Sequence, residues 1–544
     1  MAPTTDYAPM IAKAEAIAKE FDFSAEDVRK GVKEFLRLMV LTAPDVGLQN
    51  DGKAMTMIPT YVTGVPNGTE KGVYLAVDLG GTNFRVCSVS LSGDTKFTLT
   101  QSKVAIPRDM MVSDSHTLFS FLAKEVEKFV KTHHADHFEE DISHKLQLGF
   151  TFSFPVDQRA VNKGYLIRWT KGFDIKDAVG KDVCELLQKE IDALGLPVKV
   201  AALVNDTVGT LMARSYTSPG STGTLLGAIF GTGTNGAYVE KLSKITKMTK
   251  PDAQVGEYDK STGEMVVNTE WGSFDNALKV LPDTIYDQQL DANSVNPGIQ
   301  MFEKRISGMF LGEILRNAIL GLKKDAGLLN ASTIAEDAPL YTPWSVDTSV
   351  LSFIEADNTS DLSESKKVLE EQLGIPAANL HTEEARAVKI LVHAIGKRSA
   401  RLSAVPIAAI VIATGKVDNL RPKPVKRMSI VEQGLEAIKS ALTGKLPAGA
   451  ADIPTAPTVK GDKEKAQTEE DLEVIDIGVD GSVVEHYPGF EKFVREALRE
   501  VHELGVEGEE RIRMGVAKDG SGVGAALIAL VAAKAAGVQI PSSD

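Results

Sequence analysis

The sequence predicts an α/β protein assembled from two similar halves. Apolar, strand-like runs alternate along the chain with segments of helical periodicity, which is the pattern that α/β folds produce. A glycine-rich turn between two strand-like segments occurs twice, at residues 78–83 and 231–236, although no tandem repeat of short period is present. Two α/β halves that each supply one such turn would account for both observations.

The composition is that of an ordinary globular protein. The chain has 544 residues, which at about 150 residues per domain predicts three or four domains. A hydrophobic content of 43% and a charged content of 25% exclude a disordered or low-complexity chain. The net charge of −14 argues against general binding to nucleic acid. Apolar runs stay far below the roughly 20 residues of a membrane span, so we expect no membrane partner either.

The cysteine content indicates the compartment. Cys87 and Cys184 are too few for a disulfide framework, and no apolar leader segment stands at the N-terminus. The sequence therefore predicts a cytoplasmic protein.

The elements of the first half can be assigned in chain order. The first twenty residues are expected to be loose, and residues 24–40 predict an amphipathic helix whose start carries a capping box of Ser24 and Asp27. A Gly/Pro/Asn-rich stretch at 64–68 predicts a boundary. The further predictions for this half are strands within 72–91, 146–154 and 198–204 and helices at 118–130 and 183–194.

The second half begins with a predicted strand at 225–230, which leads into the second glycine turn. Residues 416–471 combine prolines with a charged run, and they predict a surface insertion without a role of its own. The glycines at 520–525 follow a strand-like run and precede a helix. They would let the helix N-terminus approach nucleotide, or they serve close packing alone.

The first glycine turn is a candidate phosphate site. A strand delivers Asp78 to a turn in which Gly80 and Gly81 leave backbone N–H groups unobstructed, and such turns form anion-binding concavities. Thr82 and Asn83 add side-chain donors. An ordinary glycine hairpin is the alternative.

The second glycine turn formally matches the dinucleotide fingerprint G-x-G-x-x-G. That fingerprint requires a helix to follow, whereas residues 237–240 alternate like a strand. We therefore predict a second phosphate-binding turn between strands instead of a dinucleotide site.

Asp206 is a candidate general base. It follows the apolar run 198–204, and the carboxyl end of a strand is where α/β sheets bind ligands. The alternative is a helix N-cap, which the segment alone favours. A ligand with many hydroxyls would suit three further places, namely the loop at 166–173, Glu270 and Glu303. The alternative is that these polar groups are simply solvated.

Several other kinds of site are absent from the sequence. There is no G-x-x-x-x-G-K-[ST] loop, no protein-kinase motif set and no G-x-S-x-G elbow. His133, His134 and His137 cluster among acidic residues, which favours a solvated helix end over a metal site.

Eight segments together resemble the eukaryotic hexokinase family, and within it the fungal glucokinases. They occur in the family's order as 78–86 (DLGGTNFRV), 148–155 (LGFTFSFP), 169–173 (WTKGF), 203–209 (LVNDTVG), 231–238 (GTGTNGAY), 268–273 (NTEWGS), 478–490 (GVDGSVVEHYPGF) and 519–526 (DGSGVGAA). The resemblance covers roughly residues 25–540, with an interruption at 416–471.

The resemblance implies a two-lobed, actin-like sugar-kinase fold in which each lobe is a mixed β-sheet flanked by helices and the active site lies in the cleft. By this analogy the small lobe holds residues 71–206 plus 520–540. The large lobe holds 13–70 plus 207–519, with 416–471 as a surface insertion within it.

The resemblance also implies the site residues. Those at hexose-contacting positions are Ser153, Phe154, Thr170, Lys171, Asn205, Asp206, Asn235, Glu270 and Glu303. Those at nucleotide positions are Asp78, Gly80, Gly81, Thr82, Asn83, Arg85, Thr232, Gly233, Thr359 and Ser482. Asp206 stands at the general base, with Lys171 as a further catalytic cation, and no side chain is expected to ligate the metal directly.

The implied activity is ATP-dependent phosphorylation of the 6-hydroxyl of D-glucose, the first step of glycolysis, with Mg²⁺ as cofactor and mannose and other hexoses as further small-molecule substrates. The alternative is a catalytically weak, hexokinase-like sugar sensor. Intact Asp206, Lys171 and phosphate turns favour the enzyme.

Overall fold

The computed structural model describes most of the chain. It covers residues 6–40, 55–81, 83–138, 145–169, 172–221, 223–251, 253–329, 334–418, 473–517 and 519–538. Three residues of the predicted site lie outside the described residues, namely Thr82, Thr170 and Lys171. The predicted insertion at 416–471 also lies outside them, except for its first three residues.

The described residues form α-helices and β-strands in the alternation that the sequence predicts. The helices are α1 (Ala8–Glu20), α2 (Ala25–Val40), α3 (Ser115–His133), α4 (Val183–Ala193), α5 (Asp206–Thr217), α6 (Ile285–Ala292), α7 (Glu303–Ile306), α8 (Gly308–Ala326), α9 (Ser349–Ala356), α10 (Ser363–Leu373), α11 (Thr382–Ala413), α12 (Ser482–His486), α13 (Phe490–Arg499), α14 (Gly505–Glu510) and α15 (Gly520–Ala535). The strands are β1 (Ile58–Pro59), β2 (Lys71–Leu79), β3 (Asn83–Ser92), β4 (Phe97–Ala105), β5 (Leu146–Phe152), β6 (Val156–Ala160), β7 (Lys163–Leu166), β8 (Val198–Val204), β9 (Thr224–Phe230), β10 (Thr234–Lys241), β11 (Glu264–Asn268), β12 (Ile475–Asp480) and β13 (Ile512–Val516).

Two mixed sheets repeat one arrangement. The first has the order β4-β3-β2-β5-β8, and the second has the order β1-β11-β10-β9-β12-β13. Each contains three antiparallel strands, β2–β4 or β9–β11, followed by two strands parallel to the first of the three, β5 and β8 or β12 and β13. The glycine turns join β2 to β3 and β9 to β10, so they occupy equivalent places. The prediction of two similar α/β halves is confirmed.

The N-terminal expectation is wrong. Residues 8–20 are not loose, because they form α1, which buries Met10, Ala14 and Ile17 against α8 and α11. These three residues recur at helical spacing, so the signal was present in the sequence. The helix α2 follows with its predicted capping box, in which the Asp27 N–H donates to Ser24 Oγ and the Ser24 N–H donates to Asp27 Oδ2.

The chain passes from one sheet to the other at the predicted boundary. β1 belongs to the second sheet, β2 belongs to the first, and residues 64–68 lie between them without regular structure. No helix among the described ranges is long and apolar enough to cross a bilayer.

Two central helices join the halves. α5 packs on strands of the second sheet, α15 packs on strands of the first, and the two helices pack against each other. They cross at glycines, since a Cβ on Gly524 would stand 2.1 Å from the Cα of Gly209. This crossing brings the carboxyl ends of the parallel strands β2, β5 and β8 close to those of β9 and β12.

Candidate active site

The first glycine turn is built by the end of β2. A Cβ on Gly80 would stand 3.4 Å from Asp78 Oδ1 and 3.5 Å from Ser153 Oγ, so a side chain there would fill the space between these groups. The Ser153 N–H donates to the Leu79 carbonyl at 3.2 Å, which ties the segment after β5 to the turn. Asp78, Gly80 and Ser153 therefore lie close together, and their assigned roles stay predictions.

The second glycine turn is a hairpin between antiparallel strands. The Gly231 N–H donates to the Gly233 carbonyl at 3.0 Å, and Phe230 pairs with Thr234 across the turn. No helix follows, so the prediction of a turn between strands instead of a dinucleotide fingerprint is confirmed. The start of α8 abuts this turn, because the Met309 N–H donates to the Thr232 carbonyl at 3.0 Å.

Asp206 is the first residue of α5. Asn205 is the N-cap and accepts a hydrogen bond from the Thr207 N–H at 3.0 Å, and Asp206 Oδ1 accepts from the same N–H at 2.8 Å. The capping alternative therefore applies to Asn205, and the Asp206 side chain is half-buried at the helix N-terminus.

Asn235 and Glu270, both half-buried, share a hydrogen-bond network with the buried Asn268. The Asn235 amide donates to Asn268 Oδ1 at 2.8 Å and to Glu270 Oε1 at 3.2 Å, and the Asn268 amide donates to Glu270 Oε1 at 2.7 Å. Burial raises the pKa of Glu270, and the nearby charge of Asp206 raises it further. α5, which starts with Asp206, packs on β10 and β11, the strands that carry Asn235 and lead to Glu270.

Glu303 faces the second turn. The Thr234 N–H donates to Glu303 Oε2 at 2.9 Å, and a Cβ on Gly233 would stand 2.8 Å from the same oxygen. The short helix α7 that carries Glu303 is anchored by two buried cations. Lys304 Nζ contacts Asp291 Oδ1 at 2.6 Å, and Arg305 Nη2 contacts Asp283 Oδ1 at 2.9 Å.

Phe154 belongs to an aromatic cluster at the edge of the first sheet. Its ring centroid lies 4.9 Å from those of Phe152 and Trp169 and 5.2 Å from that of Phe173. The Trp169 indole N–H donates to the Ile175 carbonyl at 2.8 Å, so the cluster fixes both flanks of the loop that contains residues 170–171.

Ser482 lies beside the second turn. Gly481 has a φ of 116°, which favours glycine, and a Cβ on Gly231 would stand 3.2 Å from the Gly481 Cα and 3.5 Å from the Ser482 N. Ser482 starts α12 at this place. Its assignment as a nucleotide contact stays a prediction.

Thr359 bonds to Asp357 Oδ1 through its N–H at 2.9 Å and its hydroxyl at 2.6 Å, within the connection from α9 to α10. Its assignment to the nucleotide stays a prediction.

Thr348, at the other end of α9, also lies near the second turn. Its hydroxyl donates to the Gly308 carbonyl, and the Gly308 N–H donates to the Gly231 carbonyl at 2.7 Å. No sequence motif marked Thr348 as a neighbour of the turn.

Arg85 and two further aspartates complete the region where the halves meet. Arg85 Nη1 lies 3.9 Å from Asp519 Oδ1, and a Cβ on Gly520 would stand 3.3 Å from Asp480 Oδ2. Burial raises the pKa of Asp480 to about 6, and the charges of Glu485, Asp206 and Asp519 add to the shift. Sequence reasoning did not single out Asp480.

The described residues contain no group of three or more His, Cys, Asp or Glu side chains arranged to hold a metal ion. Two glycine turns, a carboxylate at a helix start and a half-buried set of amides and carboxylates lie in this region. Such an arrangement suits a polyphosphate next to a polyhydroxylated ligand.

Comparison with known protein families identifies the family to which the chain belongs. The Hexokinase family models match residues 13–216 and 225–531. The chain belongs to the hexokinase family. The predicted resemblance to eukaryotic hexokinases and fungal glucokinases is confirmed, and with it the prediction of a hexose kinase.

Relatives of this hexokinase-family chain match it from end to end. It is 53% identical over 544 residues to the glucokinase of Aspergillus niger, covering 96% of this chain and 98% of that protein. It is 42% identical over 545 residues to Glucokinase-1 of Saccharomyces cerevisiae, covering 96% and 97%. Among solved structures, the hexokinase of Schistosoma mansoni complexed with glucose matches with a TM-score of 0.71 and 30% identity, covering 96% and 99%. The predicted sugar-kinase fold is confirmed.

Proposed function

We propose that this protein phosphorylates the 6-hydroxyl of D-glucose with ATP and so catalyses the first step of glycolysis. Membership of the hexokinase family implies the use of ATP. The observation that carries the proposal is the packing of α5, which starts with Asp206, on β10 and β11, the strands that carry Asn235 and lead to Glu270. A base beside a set of hydroxyl-reading side chains is what sugar phosphorylation requires.

The proposed small lobe comprises residues 71–206 plus 520–540, and the large lobe comprises 13–70 plus 207–519. The packing of α15 on the first sheet and the pairing of β1 with β11 in the second sheet support this division. The cleft between the lobes then contains both glycine turns.

Side chains from both proposed lobes would hold the sugar. Glu270 and Glu303 accept hydrogen bonds from hydroxyls, and Asn205 and Asn235 both accept and donate. Ser153 and Phe154 would border the ring, together with Thr170 and Lys171, which lie outside the described residues. Two carboxylates and two amides can read several hydroxyls of one hexose.

The proposed reaction is a direct phosphoryl transfer. The sugar O6 bonds to the γ-phosphorus, the bond from that phosphorus to the bridging oxygen of ADP breaks, and the O6 proton passes to Asp206. General-base assistance of this kind contributes about 10²–10⁴-fold. Backbone N–H groups of the two glycine turns, with Arg85, would stabilise the phosphate charge, and Lys171 would add a further cation.

Mg²⁺ fits this site through the chemistry of its oxygen donors. The carboxylates of Asp78, Asp206 and Asp480 would act on the ion only through bound water, since no three acidic side chains of the described residues are arranged to hold a metal directly. When bound with ATP, the ion would neutralise charge on the phosphate oxygens. Asp78 would orient water around it and not ligate it directly.

The test replaces the proposed base. Asp206→Ala should lower kcat for glucose by at least about 10²-fold, because the O6 proton loses its acceptor, while glucose binding measured by calorimetry remains. Asp94→Ala, at an exposed turn between β3 and β4, is the matched control and should keep full activity.

A coupled assay on glucose, mannose and fructose would establish the substrate class. Near-normal turnover in the Asp206 variant would refute the assigned base. A wild-type chain that binds glucose and transfers no phosphate would instead indicate a sugar sensor.

A further inference from the structure

Thr234 stands where the second glycine turn meets the sugar-contacting side chains. It is the first residue of β10, directly after Gly233, and only 6% of it is exposed. Its N–H donates to Glu303 Oε2 at 2.9 Å, and its hydroxyl donates to the Ile229 carbonyl at 2.9 Å. The same hydroxyl accepts from the Trp271 indole N–H at 3.0 Å. Three elements are therefore tied to one residue.

Trp271 is fixed in place by its surroundings. It is fully buried, and its ring stacks on that of Phe230 at 6.0 Å with an interplanar angle of 19°. It lies against Gly236, where a Cβ would stand 2.1 Å from a ring carbon. A buried indole N–H needs an acceptor, and Thr234 Oγ1 supplies it. Because Trp271 directly follows Glu270, this bond links the turn to that carboxylate's segment.

Glu303 is linked to the turn through the Thr234 backbone. The two hydroxyl bonds orient Thr234, and its N–H then points at Glu303 Oε2. If Glu303 moves to bind a sugar hydroxyl, either this hydrogen bond weakens or the exit of the phosphate turn moves with it. Conversely, when bound phosphate orders the turn, either this hydrogen bond weakens or Glu303 moves with the turn.

We infer that Thr234 is a positioning residue that couples hexose binding to nucleotide phosphate binding, through Glu303 on one side and Trp271 on the other. This inference rests on the proposed function and concerns the same cleft. Coupling between two ligands is reciprocal, so the hexose strengthens nucleotide binding by the factor by which nucleotide strengthens hexose binding.

Thr234→Val separates this role from the backbone contact. Valine has nearly the same shape and keeps the N–H, but it removes both hydroxyl bonds and leaves the indole N–H without its acceptor. Thr234→Ser keeps the hydroxyl and is the rescue variant. Trp271→Phe removes the same bond from the other partner, so it tests the link if Thr234→Val does not fold.

Thr60→Val is the matched control. Thr60 is 3% exposed, lies next to the second sheet after β1, and donates its hydroxyl to the Val266 carbonyl at 2.7 Å. The substitution therefore removes a buried threonine hydroxyl bond in the same part of the fold, away from the turn. It should lower stability without affecting the coupling.

The measurement is the glucose dissociation constant with and without the non-hydrolysable analogue AMPPNP and Mg²⁺, and the AMPPNP constant with and without glucose. We expect the wild-type coupling factor to be about fivefold or more. It should fall towards one in Thr234→Val and Trp271→Phe, which both lose the hydrogen bond between these two residues, and stay within about twofold of the wild-type value in Thr234→Ser and Thr60→Val. In Thr234→Val, a change in the emission of the Trp271 indole should accompany the loss.

Other outcomes overturn the inference. A wild-type coupling factor of one does so, as does a folded Thr234→Val protein with the wild-type factor. Failure of the proposed function is distinguishable, because it is the absence of glucose phosphorylation by the wild-type chain. An active wild type with unaltered coupling in the variants would reject the role of Thr234 alone.

Discussion

Glu270 adopts a left-handed backbone conformation, with a φ of 54°, which residues other than glycine rarely occupy. Asn235 and Asn268 hold its carboxylate, and burial raises its pKa. Backbone strain of this kind costs about 1–3 kcal/mol and persists where the surroundings enforce it. Its occurrence at a proposed sugar contact fits a side chain that is preorganised for its ligand.

Because of Asp480, the free energy of unfolding should fall as pH rises. Burial holds its folded pKa at about 6, above the ordinary 3.8, so the folded state keeps a proton that the unfolded state loses. Below about pH 4 both states are protonated, and the penalty develops between about pH 4 and pH 6. We expect Asp480→Asn to raise Tm relative to wild type by an amount that grows across this window, measured by thermal unfolding without nucleotide.

Asp476 provides the opposite case as a control. It is fully buried, and although burial alone would raise its pKa, hydrogen bonds from Arg214, Arg513 and Thr224 hold the pKa below its ordinary value. The stability that it contributes is present above its ordinary pKa and is lost as pH falls through the folded pKa. Asp476→Asn should therefore be most destabilised near neutral pH.

A Tm difference between Asp480→Asn and wild type that does not change with pH would contradict the raised pKa of Asp480.

At the scale of elements, the pair α5 and α15 joins the two sheets. α5 carries Asp206 at its first residue, and its Arg214 makes a bidentate pair with Asp476 of β12, at 2.6 and 2.8 Å. A Cβ on Gly515 would stand 2.3 Å from the Arg214 guanidinium, so this glycine admits the side chain between helix and sheet. The helix that bears the proposed base is thereby fixed to the second sheet.

Gly524→Ala tests the helix crossing. Alanine favours helix over glycine by about 0.5–1 kcal/mol, which alone predicts a more stable protein. The added Cβ would stand 2.1 Å from both the Cα and the carbonyl oxygen of Gly209, and such overpacking costs about 1–3 kcal/mol. We expect a net fall in Tm in thermal unfolding.

Gly522→Ala is the matched control on the same helix. Its Cβ would stand 3.1 Å from the Sγ of Cys87, a side-chain atom that can shift, so a smaller effect is expected. If both variants are equally stable, the helices do not depend on close approach at Gly524.

At the scale of the whole molecule, the proposed sugar contacts come from both sheets. Ser153 and Asn205 follow strands of the first sheet, whereas Glu270 and Glu303 belong to the second half. A small ligand that bonds to both sets must hold the halves together, and closure around it would exclude water that competes for the phosphoryl group.

Saturating glucose should therefore reduce the radius of gyration of the protein in small-angle X-ray scattering. Glu303→Ala removes one contact from the second half, and it should show less compaction at the same sugar concentration. An unchanged radius in the wild type, with glucose binding verified by calorimetry, would contradict closure.

The sequence by itself determined the α/β class, both strand–turn–strand motifs, Asp206 at the end of a strand and membership of the family. These features are contiguous, and their local backbone preferences act within a few residues. The tertiary structure alone decided that Asn268 bridges two proposed sugar contacts, that Asp480 is half-buried beside other carboxylates and that Thr234 bonds to Glu303. The last pair is 69 residues apart in the chain. No local pattern encodes such contacts, because they arise only when separate elements pack and bury polar groups that must then find partners.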